Sequence, residues 1–236
     1  MKYLIIACKI FNKMLTNLKK DLDNIDIIWI EQELHNTPTK LNSELKKTIE
    51  NIDPEASYDA IILLYGLCSN GVIGLGSTRF PIIVPKTDDC IGIFLGSQNK
   101  YLEYFNSMKG IYWYNSSWIA DAYTPSQKSL EEKKAEYIEK YGEDNAEFLM
   151  EEENNWIKEY ENCLFVKEPR FNEEEEIAYT KEAAKFFGWN YVEVLGSQKM
   201  LKNIISGNWD DNFLICPINH KIVESFDEHK LKAEKY

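Results

Sequence analysis

A chain of 236 residues with 44% hydrophobic content has material for one large core or two smaller ones. Its net charge of −12 and pI near 4.9 argue against nucleic acid as a partner, because phosphate binding needs clustered Lys and Arg, and against an anionic membrane surface for the same reason. The first apolar run, "YLIIAC", is too short to span a membrane and no small-residue cleavage site follows it, so a cytoplasmic location is expected, with the five cysteines reduced and read as ligands, nucleophiles or core residues.

In chain order, "KYLIIACKI" is a short continuous apolar run of the kind found in strands covered on both faces, with Cys8 at its end. "FNKMLTNLKKDL" carries apolar residues at helical spacing, "IDIIWIE" reads as a second strand, and "TPTKLNSELKKTIENI" as a helix with Pro38 in its first turn. His35 falls in the loop before that helix. "YDAIILLY" and "FPIIVP" are the third and fourth strands, and in "KTDDCIGIFLGSQ" an aspartate caps a helix that begins at about Cys90. "GIYWY" is a further short strand.

From about residue 125 the composition changes. "SQKSLEEKKAEYIEKYGEDNAEFLMEEENNWIKEYEN" is charged, helix-favouring and broken at Gly142, which predicts a two-helix hairpin with solvated, Glu-rich faces. Alternation then resumes with "CLFVKEP", a helix closed by Gly188, "NYVEVL", the helix "SQKMLKNIISG" and the strand "NFLICPI". Strands alternating with helices predict an α/β fold with a doubly wound, mostly parallel sheet. The expected organisation is two Rossmann-like lobes with an inserted helical hairpin: an N-terminal lobe over 1–124, the hairpin over 125–162 and a smaller C-terminal lobe over 163–236.

This arrangement gives the cysteines a pattern. Cys8, Cys68 and Cys90 each follow a strand, and parallel strands end on one edge, where ligands bind in open α/β sheets. His35 follows the second strand, so a Cys3His metal set is predicted, although its members do not form a CxxC-type signature. Cys163 opens its strand and is expected at the opposite edge, whereas Cys216 closes the last strand and is a candidate fourth ligand from the second lobe. The turn after the third strand supplies Gly66, Ser69, Asn70 and Gly71, and "SNG" is expected to start a helix whose free N–H groups, like those at Cys90, favour thiolate. Together with Arg79, Lys86 and Asp89 these turn residues are the candidate cofactor-contacting set, the two cations being placed to hold an anion. Competing readings are plain: a cysteine at a strand end is commonly a small buried hydrophobe, and His35 alone reads as a capping or surface residue. "GVIGLG" matches neither GxGxxG in a first turn nor GK[ST].

The segments "IIACKIF", "ELHNTPTKL", "YGLCSNGVIGL", "VPKTDDCIGIFLGS" and "GIYWYNSSWI" resemble the bacterial and archaeal domain-of-unknown-function family numbered 1638 over most of the chain. Tyr65 to Gly71, the Asp89–Cys90 pair and the Leu-Gly-Ser at 95–97 carry the match, while Asp88 stands where the family often has histidine. The resemblance implies an anaerobe-associated cytoplasmic protein linked with corrinoid-dependent methyltransferase systems. No DxHxxG-like cobalamin motif occurs, so any corrinoid is expected on a partner, a corrinoid protein or methyltransferase, and not on this chain.

Three functions follow. The first is a metal- or iron–sulfur-binding protein in which Cys8, Cys68 and Cys90 hold zinc or a cluster, with His35, Cys216 or an exogenous ligand in fourth place. The second is a non-catalytic accessory protein with a small-molecule cleft. The third is a metal-free enzyme with Cys68 or Cys90 as nucleophile and Asp89 or His35 as proton carrier.

Overall fold

The strands at the centre of the molecule are runs of aliphatic residues with no polar alternation, and they are buried on both faces. This is seen in a computed structural model that describes residues 1–19, 23–32, 34, 37–225, 227 and 230–236. The chain opens with β1 (Tyr3–Cys8), buried throughout, then a 3-10 turn (Lys9–Phe11) and α1 (Asn12–Lys19). β2 (Ile25–Ile30) precedes α2 (Pro38–Glu50), which buries Leu41, Leu45 and Ile49 at successive four-residue steps. β3 (Ala60–Leu64), β4 (Gly76–Ser77) and β5 (Ile82–Pro85) follow, then α3 (Cys90–Leu95) and α4 (Gln98–Ser107). Next come β6 (Ile111–Tyr114), α5 (Ser116–Asp121), α6 (Gln127–Tyr141) and α7 (Glu143–Asn154). The order closes with β7 (Asn162–Lys167), α8 (Glu174–Phe187), β8 (Asn190–Leu195), α9 (Lys199–Ser206), β9 (Phe213–Cys216), β10 (His220–Glu224) and β11 (Leu231–Lys235).

The protein is therefore mixed α/β with a mostly parallel central sheet, and it divides into two compact units, Met1–Tyr101 with Ser197–Tyr236, and Leu102–Gly196. The first holds a five-stranded sheet of order β2-β1-β3-β5-β9, in which β9 alone runs antiparallel, and a small sheet of order β11-β10-β4. The second holds the parallel sheet β6-β7-β8 around a core of Tyr114, Phe165, Cys163, Ala183 and Trp189.

Two expected lobe boundaries fall elsewhere. β6, expected in the N-terminal lobe, pairs with β7, and β9, expected in the C-terminal lobe, pairs with β5 from Ile82 opposite Cys216 to Pro85 opposite Phe213. Hydrogen-bonded partners, not sequence proximity, assign these strands, and the units accordingly divide near residues 101 and 196. The charged segment does form two helices meeting at Gly142, tied by the Lys133–Glu153 ion pair and by the Tyr137 hydroxyl donating to Glu153 at 2.7 Å. Among the described residues, no helix is long and apolar enough to cross a membrane.

Candidate thiol site at the carboxyl edge of the central sheet

β2, β1, β3 and β5 run in one direction, so their carboxyl ends share an edge. Cys8 is the last residue of β1, Tyr65 to Gly71 follow β3, and Lys86 to Asp89 follow β5 before Cys90 opens α3. β1 lies between β2 and β3, so the chain leaves it to one side and returns on the other. Open α/β sheets bind ligands beside such a strand.

Backbone hydrogen bonds close the two loops on each other. The Leu67 N–H donates to the Thr87 carbonyl at 2.7 Å and the Cys68 N–H to the Asp88 carbonyl at 2.9 Å, which sets Cys68 beside the start of α3. Gly66 makes this approach feasible: a Cβ there would lie 2.7 Å from the carbonyl and hydroxyl oxygens of Thr87 and 2.8 Å from the Asp89 Cα. On the far side, the Asn42 amide of α2 donates to the carbonyls of Gly71 at 3.0 Å and Ile73 at 2.7 Å. Held between these anchors, Cys68, Ser69 and Asn70 all adopt left-handed backbone, with φ of 46°, 54° and 69°.

The expected helix after Cys68 is therefore absent, replaced by a left-handed turn. Each such residue costs about 1–2 kcal/mol when it carries a Cβ, least for Asn. Three in succession persist only where the surroundings over-determine them, a condition concentrated at functional sites.

The electrostatics also depart from the sequence expectation. Burial pushes the Cys68 thiol up to about 12, aided by the Asp89 carboxylate and by Cys8 and opposed by the backbone N–H groups of Gly66 and Cys90. Cys90 is raised by burial first, then by Asp89, Cys68 and Cys8. The helix-start effect is real but small: α3 has six residues, and desolvation with a neighbouring carboxylate outweighs it. Asp89 itself caps α3, accepting from the Ile91 N–H at 2.8 Å. Burial lifts its carboxyl to about 6, resisted by the N–H groups of Ile91 and Gly92 and by the Tyr101 hydroxyl, and reinforced by Asp88. Asp88 is engaged elsewhere, with Lys230 at 2.8 Å and with the Gln98 amide at 2.7 Å.

Cys8, Cys68 and Cys90 thus converge within electrostatic reach of one another, and all three raise the pKa of the Tyr65 phenol, whose shift is dominated by burial. Cys8 is buried, the other two residues partly so, and none of the three is in a disulfide. Among the described residues no group of three or more His, Cys, Asp or Glu side chains is arranged to hold a metal ion, so the sulfurs are neighbours and not a preformed coordination set. Ser69 and Asn70 are exposed on the turn, and Lys86 directly follows β5.

Other candidates lie apart. Arg79 precedes β5, and its guanidinium donates to the carbonyls of Ile52, Asp53, Pro54 and Ala56 at 2.8–3.1 Å, so it clamps the loop after α2 and does not hold an anion at the thiols. Cys216 faces Ile82 at the start of β5, the opposite edge, because β9 runs antiparallel. Cys163 is the second residue of β7, near the strand's amino end in the second unit. His35 lies outside the described residues. A groove of about 380 Å³ lined by Asp26, Glu44, Lys47, Asp53 and Tyr58, among others, contains none of the candidate site residues.

Sequence reasoning missed Tyr65 and Thr87. Both are buried, at 3% and 0% exposure, and neither hydroxyl has a hydrogen-bond partner among the described residues. Tyr65 opens the Tyr-Gly-Leu-Cys stretch, and a phenol at the end of an otherwise aliphatic strand was the available signal.

No curated protein and no solved structure matches the chain. A family model described as "Protein of unknown function (DUF1638)" matches residues 29–205, a span that includes Cys68, Cys90 and the left-handed turn. That match covers well over half of the sequence, and the chain belongs to this family.

Proposed function

We propose that the chain is a thiolate metal-binding protein in which Cys8, Cys68 and Cys90 hold a zinc ion or an iron–sulfur cluster at the carboxyl edge of a doubly wound, Rossmann-like sheet. The observation that carries this reading is the approach of three thiols, none of them in a disulfide, from the ends of β1, β3 and β5 toward the buried Tyr65 side chain.

The thiol environment favours a metal over a free nucleophile. With its thiol pushed up to about 12, Cys68 is held protonated at pH 7, the opposite of an activated cysteine. A cation reverses that balance, because a coordinating thiol loses its proton outright and soft thiolates suit zinc and iron–sulfur clusters. Cys8, Cys68 and Cys90 would hold such a zinc ion, which would supply Lewis acidity and lower the pKa of a bound thiol. An exogenous ligand, or His35 as the sequence leads one to expect, would complete the set, and Asp89 would add negative charge near Cys68 and Cys90.

The link to corrinoid-dependent methyl transfer rests on the sequence resemblance. In this reading the corrinoid is carried by a partner, a corrinoid protein or methyltransferase, and the present chain works in the cytoplasm. A second reading, an accessory protein that binds a small polar molecule in the same crevice, draws on the Tyr65 and Thr87 hydroxyls, which have no hydrogen-bond partner among the described residues.

Metal and acid-labile sulfide analysis, with a visible spectrum, of protein purified without oxygen tests the proposal. Stoichiometric zinc, or iron with sulfide, is expected and separates the two metal readings. Protein that stays metal-free after reconstitution with either overturns both and leaves the crevice to a small ligand.

A further inference from the structure

The central sheet ends in β9 on one side and in β2 on the other. β9 lies against β10 and β11. β2 pairs with β1, and among the described residues no strand lies on its other side. A strand edge presents N–H and C=O groups that template further pairing, and proteins block it with Lys, Pro, a bulge or a very short strand. β2, "IDIIWI", has none of these: it is six residues long, and its ladder with β1 runs without a break from Tyr3 opposite Ile25 to Cys8 opposite Ile30.

The side chains of β2 favour association as well. β1 is buried throughout, whereas Ile27, Ile28 and Trp29 of β2 are partly exposed, Ile28 at 37%. Successive residues point to opposite faces, so apolar surface is open on both sides of this edge. On the face of Ile28 it is continuous with the groove of about 380 Å³ lined by Leu4, Ile52 and Tyr58. The chain's net charge of −12 makes most contacts between two copies repulsive. At this edge the charges are matched within each chain: Asp26 is held by Lys2 at 3.0 Å and by the Tyr58 hydroxyl at 2.8 Å, and Glu31 pairs with Lys9. We infer that β2 pairs antiparallel with β2 of a second copy about a two-fold axis, joining the two central sheets into one. Such an interface is self-complementary and closed. With the axis at Ile28, the two Ile28 side chains meet, Ile27 of each copy faces Trp29 of the other, and Asp26 faces Ile30. No like charges oppose one another, and an aromatic–β-branched pair forms twice.

Sedimentation velocity of the full chain at micromolar concentration, with hydrogen exchange over residues 25–30, compares wild type, Ile28→Lys and Phe148→Lys. Lys at position 28 sets two like charges face to face across the axis, while Asp26, Glu44 and Asp53 of its own chain line the adjoining groove and accommodate it. Phe148, 63% exposed on α7, controls for association through the helical hairpin. Wild type and Phe148→Lys are expected at twice the chain mass of 27.6 kDa, with the outward-facing β2 amides slow to exchange. Ile28→Lys, with a native circular dichroism spectrum, is expected at the mass of one chain with those amides fast. Wild type at the mass of one chain overturns the inference and leaves the edge to an extended peptide of another protein. A dimer whose β2 amides exchange fast, that survives Ile28→Lys, or that Phe148→Lys dissociates also overturns it. Should Ile28→Lys fail to fold, the mass and exchange of wild type and Phe148→Lys still decide.

Discussion

Replacing Ser69 by glycine is expected to stabilise the protein. Ser69 sits at φ 54° in the middle of the left-handed turn, is exposed, and its side chain makes no hydrogen bond among the described residues, so the substitution removes no packing. Relief of the Cβ clash is worth about 1–2 kcal/mol, and the greater freedom of glycine in the unfolded chain takes back about 0.5–1 kcal/mol. The net gain is about 0.5–1 kcal/mol, or a rise of about 1–4 °C in thermal midpoint for a chain of this size. Asn70→Gly, at φ 69°, should gain much less, because Asn already tolerates this backbone, whereas Asn70→Val should lose about 1–2 kcal/mol. Differential scanning calorimetry of metal-free protein reads all three. A fall of more than about 2 °C for Ser69→Gly would mean that the turn is not left-handed and that the strain argument is wrong.

Asp89 provides a pH signature. Its folded-state value of about 6 lies above the ordinary 3.8, so the folded protein holds this proton more tightly than the unfolded chain. The resulting stability is fully present below about pH 3.8 and is lost as pH rises through 6, a change on the order of 3 kcal/mol. Asp89→Asn keeps the helix cap and should flatten this part of the urea-midpoint profile between pH 4 and 7 and raise stability at pH 8; an unchanged profile would refute the assignment. The same substitution removes the carboxylate that raises Cys68 and Cys90, so their alkylation should begin at lower pH. Arg79→Ala should cost about 1.5–3 kcal/mol through loss of its carbonyl clamp while leaving metal content unchanged; loss of metal without loss of stability would restore Arg79 to the site.

Sequence pattern conveyed some features of this architecture and not others, for physical reasons. "LIIA" and "AIILL" could only be strands covered on both faces, and their ends located Cys8 and Cys68. An Asp-Asp pair before an apolar run marked the cap at Asp89, and Gly142 marked the break between α6 and α7. Strand direction is not encoded in an apolar run: "NFLICPI" reads alike parallel or antiparallel, and only pairing with β5 sends Cys216 to the far edge. β10 and β11, "HKIVE" and "LKAEK", are half-exposed strands whose polar content hides their period. "CSNG" suits a helix start and a left-handed turn equally, and the choice is made by Thr87, Asp88 and Asn42, which are distant in sequence. Arg79 offered a charge but no sign of whether it would meet an anion or four carbonyls. The thiol pKa values followed burial and Asp89, which become visible only once the loops have closed.

The central claim is that three cysteines from three strand ends share one metal. The most direct test is metal stoichiometry in anaerobically purified Cys8→Ser, Cys68→Ser and Cys90→Ser, with Cys216→Ser as the control from the opposite edge. The account predicts loss of bound metal in each of the first three and full occupancy in the fourth. Full occupancy in any of the first three, or loss in Cys216→Ser alone, would contradict it.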